Sequence, residues 1–272
     1  MFADERKPMH VYSYLQAVRE KRPLVHHITN WVTIFDCAQI VKSFGASPVM
    51  AHAPEEVAAM TGIASSLVLN MGTLTTEVIE SMKIAAVAAN KKGIPVVFDV
   101  CGAGATSFRD QKAMEVIEGA HISVIKGNGS EIARIAGLTV ETKGVDAGQV
   151  AADLREVAKA LSAKRSCTVV VTGAEDIVAG DGKLLLVRNG HPMMADLVGT
   201  GCMATSVIGT FVGARPDQIP EAAAAGLVCY EIAAEQAVKK SDGPASFKQQ
   251  LFDCVYKLDE KQVRALQQVS AD

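Results

Sequence analysis

Five short, continuous apolar runs, at residues 47–51, 66–71, 94–100, 121–126 and 168–172, alternate with longer segments of helical periodicity. Strands that are apolar throughout, rather than at every second position, are buried on both faces; when helices separate them they pair in parallel. The helical patterns fall at 33–44, 54–64, 76–90, 110–117 and 147–161. The third is well delimited, with Glu77 and Glu80 early, Lys91 and Lys92 late and Gly93 as its stop. That order of charges complements the helix dipole. Residues 177–179 and 183–188 flank Gly180-Asp181-Gly182, a hairpin signal, and from Cys202 onward the pattern is mostly helical. The alternation predicts an α/β chain: a three-layer α/β/α sandwich with a mostly parallel central sheet. No linker, repeat or low-complexity block interrupts it, so residues 1–272 read as a single domain, and a 49% hydrophobic content supplies its core.

A formal charge of -3, with no basic stripe interleaved with aromatics, argues against nucleic acid or an anionic membrane as the main partner. Apolar stretches such as 94–98 are far too short to span a bilayer. The charged start lacks the apolar centre of a signal peptide. Cys37, Cys101, Cys167, Cys202, Cys229 and Cys254 stand far apart, with no C-x-x-C and no histidine pairing of zinc spacing. They read as reduced thiols, and the expected setting is the cytoplasm, with a small molecule as ligand.

Ligands of open α/β sheets collect beyond the carboxyl ends of the strands. Asp99 closes one apolar run and enters the small-residue turn 100–105; it suits either a nucleotide's magnesium, which takes hard oxygen ligands, or a turn cap. Lys126 closes the next, where it can lean on a polyphosphate; Asn128 and Glu131 follow, as loop fixer and metal neighbour or as plain helix-start residues. Thr172 ends a third run and is by itself an ordinary strand-end residue. Gly199-Thr200-Gly201-Cys202 precedes the apolar run 203–212. Backbone amides of such a turn and of a helix's first turn can converge on an anion, provided that no Cβ blocks the approach. Two carboxylates, a lysine and an anion-binding helix start are the parts that phosphoryl transfer requires, and no P-loop pattern is present. Of the adjacent histidines, His26 is expected to hydrogen-bond in a loop and His27 to be exposed, since neighbours in an extended segment face opposite ways.

Taken in order, Pro23-Leu24-Val25-His26, Ile28-Thr29-Asn30, 45–50, 69–74, Gly127-Asn128, Glu131-Ile132, 143–146, Val171-Thr172-Gly173, 198–202 and Gly243-Pro244 resemble the hydroxyethylthiazole kinases, thiamine-salvage enzymes of the ribokinase-like group. The resemblance covers nearly the whole chain. It implies ATP-dependent phosphorylation of the primary alcohol of 4-methyl-5-(2-hydroxyethyl)thiazole, and a homotrimer with sites between subunits. It also implies that Asn30, Val32, Met50 and Gly72 surround the thiazole, with Gly199 and Cys202 near its hydroxyl. By the same resemblance Asp99 and Glu131 serve Mg2+, while Lys126 and Thr172 contact ATP. Trp31 then covers the thiazole or packs at a subunit contact. Four positions depart from the family pattern: Val100 stands for a proline, Lys126 for an arginine, and Phe35 and Gln39 for asparagines. A lysine offers phosphate a point charge where arginine offers a fork.

Related sugar kinases usually carry aspartate where Cys202 stands. A thiol at a helix N-terminus ionises more easily, yet a largely dissociative transfer asks little of a base. Cys202 is therefore expected to assist and orient, with the Gly199 and Gly201 turn supplying the larger effect. Alternative readings are a pyrimidine or pyridoxal kinase, or an ATP-dependent dehydratase, of the same fold, and a non-catalytic thiazole or nucleotide sensor. Cys202 disfavours the first group; joint retention of Asp99, Lys126, Glu131 and Cys202 disfavours the sensor.

Overall fold

The computed structural model describes residues 9–138 and 153–272. Among the described residues nine strands form one sheet: β1 (Leu24–Ile28), β2 (Ser47–Val49), β3 (Ser66–Asn70), β4 (Val96–Asp99), β5 (Val124–Asn128), β6 (Thr168–Thr172), β7 (Asp176–Gly180), β8 (Lys183–Val187) and β9 (Val269–Ala271). Their order is β2-β1-β3-β4-β5-β6-β7-β8-β9. Pairing is parallel from β2 across to β6 and antiparallel from β6 to β9. The helices are α1 (Val11–Lys21), α2 (Ile34–Ser43), α3 (Val57–Ile63), α4 (Thr76–Lys92), α5 (Ser107–Gly119), α6 (Gly129–Ile135), α7 (Leu154–Arg165), α8 (Thr200–Ala214), α9 (Ile219–Val238), α10 (Pro244–Lys257) and α11 (Glu260–Leu266).

Alternate side chains of each central strand feed two separate cores. Val25, Val68, Val97, Val124 and Val170 pack with α1, α2, α8, α9 and α10. Leu67, Leu69, Phe98, Ile125 and Val169 pack on the other side with Ile79 and Met82 of α4, Val116 of α5 and Leu161 of α7. Two buried faces on one sheet are the three layers expected of continuous apolar strands. Helix α8 sits unusually close to the sheet: a Cβ on Gly209 would lie 2.2 Å from Val68 Cγ2. The hydroxyl of Ser66 donates to the Gly209 carbonyl at 2.7 Å and ties the helix down. This contact fixes the height at which the start of α8 meets the strand ends.

Several expectations shift. The run 121–126 pairs as 124–128 instead, because Gly127 and Asn128, poor strand formers, are held in register by Val171 and Thr172 of β6. Residues 147–152 of the fifth helical pattern lie outside the described residues; its remainder starts at Leu154, where the Asp153 side chain accepts from the Arg155 amide at 2.9 Å. The end of the chain, expected to be helical, adds β9 to the sheet edge. His27 is fully buried rather than exposed. It lies in β1, whose two faces are both covered, so pointing opposite to His26 leads into the core of Val25 and Val68 and not to water. Burial pushes its pKa down to about 3 and keeps it neutral. His26 does hydrogen-bond, but from the strand: its ring nitrogens lie 2.9 Å from Thr61 Oγ1 and 2.9 Å from the Ala51 carbonyl. The hairpin is as expected, with Asp181 and Gly182 both at positive φ between β7 and β8.

Candidate active site

At the carboxyl ends of the parallel strands a cavity of about 360 Å³ brings together Asn30, Val32, Gly72, Asp99, Lys126, Glu131, Thr172, Gly199, Gly201 and Cys202. Met50 does not reach it. That residue follows β2, the edge strand, and is half-buried there. A second cavity of about 580 Å³ shares Thr172 and Gly201 with the first and extends past Gly173, His191 and Met194 to Tyr230. A transferring group placed at Gly201 can thus be reached from both sides.

A chain of buried polar contacts sets the first cavity's geometry. Asn30 takes the Thr33 amide and hydroxyl on its oxygen, each at 3.1 Å. Its nitrogen donates to Asn70 Oδ1 at 2.9 Å and to Cys202 Sγ at 3.3 Å. Asn70, at the end of β3, in turn donates to Asp99 Oδ2 at 3.0 Å. That oxygen also accepts from Thr205 Oγ1 at 2.6 Å and from Lys126 Nζ at 3.3 Å. Lys126 completes the circuit by donating to the Gly201 carbonyl at 3.1 Å. Parallel register makes this possible, since Asn70 lies beside Asp99 and Asp99 beside Lys126. Residues 29 and 27 positions apart in sequence thereby become neighbours.

Asn70, Thr205 and Arg109 had no assigned role in the sequence reading. Arg109 donates to the carbonyls of Met71 and Cys101 at 3.1 Å each and of Gly72 at 2.8 Å, fastening the loops after β3 and β4. A polar residue ending a strand was the available signal for Asn70. Thr205 lies inside a helical pattern and carried none.

Burial disfavours charge on Lys126, but the carboxylates of Asp99 and Glu131 outweigh it and raise the pKa, so the ammonium persists. Burial and then Asp99 push Glu131 up; Lys126 and two backbone amides partly offset this. Those amides account for both Glu131 oxygens: Oε1 accepts from Gly102 at 2.7 Å and Oε2 from Asn128 at 2.8 Å. With the Asn128 side chain accepting from the Glu131 amide, they form the capping box of α6. Asp99 differs, because its Oδ1 is buried without a hydrogen-bond partner among the described residues. An orphaned carboxylate oxygen at the wall of the first cavity fits a hard cation. No three His, Cys, Asp or Glu side chains among the described residues converge as a metal cage. Mg2+ does not require one when phosphates and waters fill most of its coordination positions.

Gly199 precedes α8 at φ +95°, the left-handed conformation that glycine adopts without strain, and a Cβ there would strike Thr33 Cγ2 at 2.5 Å. No side chain caps this helix, so its first-turn amides remain available to an anion. Gly201 is different. It lies within α8, and its Cβ would meet only Lys126 Nζ, at 3.3 Å. Glycine keeps the floor open there rather than supplying a positive φ. Cys202 occupies the same first turn; a hydrogen bond from the Cys101 thiol, then the nearby Lys126, lower its pKa in spite of burial and Asp99.

The floor of the second cavity holds another unforeseen pair, Asp176 of β7 and Glu231 of α9, both buried. Burial and then Asp176 and Glu235 raise the Glu231 pKa well above its ordinary value, which favours its protonated form.

A three-layer sheet with an uncapped helix start, a buried lysine and an orphaned carboxylate gathered at its carboxyl edge has the architecture of the ribokinase-like fold. The hydroxyethylthiazole kinase family model matches residues 15–261. The chain belongs to that family. It is 52% identical over 255 residues to a hydroxyethylthiazole kinase of Methanosarcina mazei, covering 94% of this chain and 97% of the relative. The solved hydroxyethylthiazole kinase of Pyrococcus horikoshii superposes with a TM-score of 0.88 at 35% identity, over 96% of this chain and 98% of that one. A ribokinase-like superfamily protein of Enterococcus faecalis shares the fold, with a TM-score of 0.63 at 14% identity and coverage of 89% and 94%.

Proposed function

We propose that this chain transfers the γ-phosphoryl group of ATP to the primary hydroxyl of 4-methyl-5-(2-hydroxyethyl)thiazole, in thiamine salvage, with the 272 residues working as one kinase domain. The observation that carries this reading is the joining of the two cavities at Gly201, where α8 presents unoccupied amides beside Lys126. The alcohol occupies the smaller cavity, against Asn30, Val32 and Gly72. The nucleotide occupies the larger, with Thr172 on the wall that the two cavities share and its terminal phosphate directed toward Lys126 in the smaller.

Most of the rate enhancement then comes from alignment and from charge stabilisation on the transferring oxygens. The α8 amides and the Lys126 ammonium hold those oxygens in line between alcohol and leaving ADP. Asn30 orients Cys202, which takes the hydroxyl proton as transfer proceeds. Asn70 and Thr205 are positioning residues that fix Asp99. Asp99 through its free oxygen, with Glu131 behind it, would hold Mg2+, which neutralises phosphate charge when bound.

A homotrimer fits the cavity rim. Trp31, Val32, Phe35 and Val198 are large apolar side chains exposed beside the site, which a neighbouring subunit would cover. Met50 would then serve a site shared across the boundary, and Trp31 would pack at the contact rather than on the thiazole. Cytoplasmic location agrees with free cysteines and with the absence, among the described residues, of a helix able to cross a membrane.

Incubation with ATP, Mg2+ and the thiazole alcohol, followed by mass spectrometry, tests the reaction. The proposal predicts thiazole phosphate and ADP in equal amounts. ADP with free phosphate and unmodified alcohol would contradict it.

A further inference from the structure

Two of the six cysteines differ from the rest. Cys37, Cys167, Cys229 and Cys254 are buried, while Cys101 and Cys202 are partly exposed and line the same cavity. They come from different elements, the turn after β4 and the first turn of α8, and both open onto the floor of that cavity. Both backbones are anchored. The Cys101 carbonyl accepts from Arg109 at 3.1 Å, and the next amide, of Gly102, donates to Glu131 at 2.7 Å. The start of α8 is held by Thr200, whose hydroxyl donates to the Met194 carbonyl at 2.8 Å and whose carbonyl accepts from Tyr230 at 3.2 Å. Asn30 holds the Cys202 sulfur itself at 3.3 Å.

We propose that Cys101 and Cys202 form an oxidisable dithiol, a modification site at which a small peroxide closes a disulfide across the floor of the reaction cavity. The Cys202 sulfur, having lost its proton to water, attacks one peroxide oxygen. The O–O bond breaks, hydroxide leaves, and Cys202 becomes a sulfenic acid. Cys101 then gives up its proton, its sulfur attacks the Cys202 sulfur, and the S–O bond breaks as water departs. The two thiols lose two electrons and two protons, and the peroxide is reduced to two waters. A resolving thiol in the same cavity protects the attacked one, because the sulfenic acid is consumed before further oxygen adds. Formation of the cross-link does not depend on the proposed reaction. The accompanying loss of turnover does, since the disulfide removes the thiol that faces the alcohol and draws α8's first turn toward Cys101.

The test exposes the full-length, nucleotide-free protein to dilute hydrogen peroxide and maps it by non-reducing peptide mass spectrometry. Expected are a single Cys101–Cys202 cross-link, the loss of two hydrogens in the intact mass, and near-complete loss of turnover that dithiothreitol restores. C101V and C101S, each compared with its own reduced state, should give no cross-link and should instead accumulate oxygen on Cys202, with inactivation that dithiothreitol no longer fully reverses. The pair protects against misreading a packing defect in one variant. Sulfinic Cys202 forming as readily in the wild type as in C101S, a cross-link involving another cysteine, or no change at either thiol would overturn the dithiol. A cross-link in a protein that never phosphorylated the thiazole would leave the dithiol standing and remove the proposed reaction.

Discussion

Asp99 carries two opposite demands: one oxygen takes three donors and the other takes none among the described residues. Removing it strands the buried Lys126 charge, a kind of loss that costs about 3–5 kcal/mol. D99A should therefore lose most turnover, its Mg2+ dependence and a large part of its stability. E131A breaks the α6 capping box, worth about 0.5–2 kcal/mol for a cap, and should lose turnover with a milder stability loss. Magnesium titrations and thermal melts on both variants check this; near-normal turnover with an unchanged titration would place the metal elsewhere. Gly201 and Cys202 separate charge stabilisation from proton transfer. G201V sets branched carbon against Lys126 Nζ where the transferring group must pass, and loss of one such stabilising donor costs about 2.7–4 kcal/mol. C202A keeps the amides and should lose about 10²-fold, whereas C202D should remain active, as a carboxylate suits a helix start. Single-turnover rates decide the ranking, and a dead C202A beside a nearly normal G201V would reverse it.

Helix α8 and its neighbours show how much of the arrangement could be read from sequence alone. The apolar runs announced the parallel strands because strands buried on both faces need no polar alternation, and Thr168–Thr172 matches residue for residue. Strand ends then pointed to Asp99, Lys126 and Thr172, since parallel register carries all three to one edge. What connects them was not legible. Asn70 and Thr205 matter only because β3, β4 and α8 meet, and that meeting depends on the close contact at Gly209. Burial likewise decides His27, whose sequence context resembles that of any strand histidine. The contact between α9 and β7 gives a pH prediction at this scale. Glu231 titrates above its ordinary 4.5 in the folded state. Its contribution to stability is therefore intact below the unfolded value and is lost as pH rises through the raised folded value. E231Q loses the titration. Its melting temperature should gain on the wild type as pH rises across that window; parallel melting curves at every pH would show that Glu231 ionises normally.

For the molecule as a whole, the sheet brings Asp99, Lys126 and Thr172 to one edge, and Trp31, Val32, Phe35 and Val198 are exposed beside it, where the proposed trimer would cover them. Light scattering should give about three times the chain mass, a closed cyclic assembly; a fully active monomer at assay concentration would contradict the shared site. Fold alone does not choose the substrate, because ribokinase-like sheets serve many alcohols. Family membership does choose it. The most direct measurement is kcat/KM for ADP formation with 4-methyl-5-(2-hydroxyethyl)thiazole, set against pyridoxal and hydroxymethylpyrimidine under the same ATP and Mg2+. The account predicts that the thiazole alcohol is preferred by orders of magnitude and is recovered as its phosphate. Equal or greater efficiency with either of the other alcohols would contradict it.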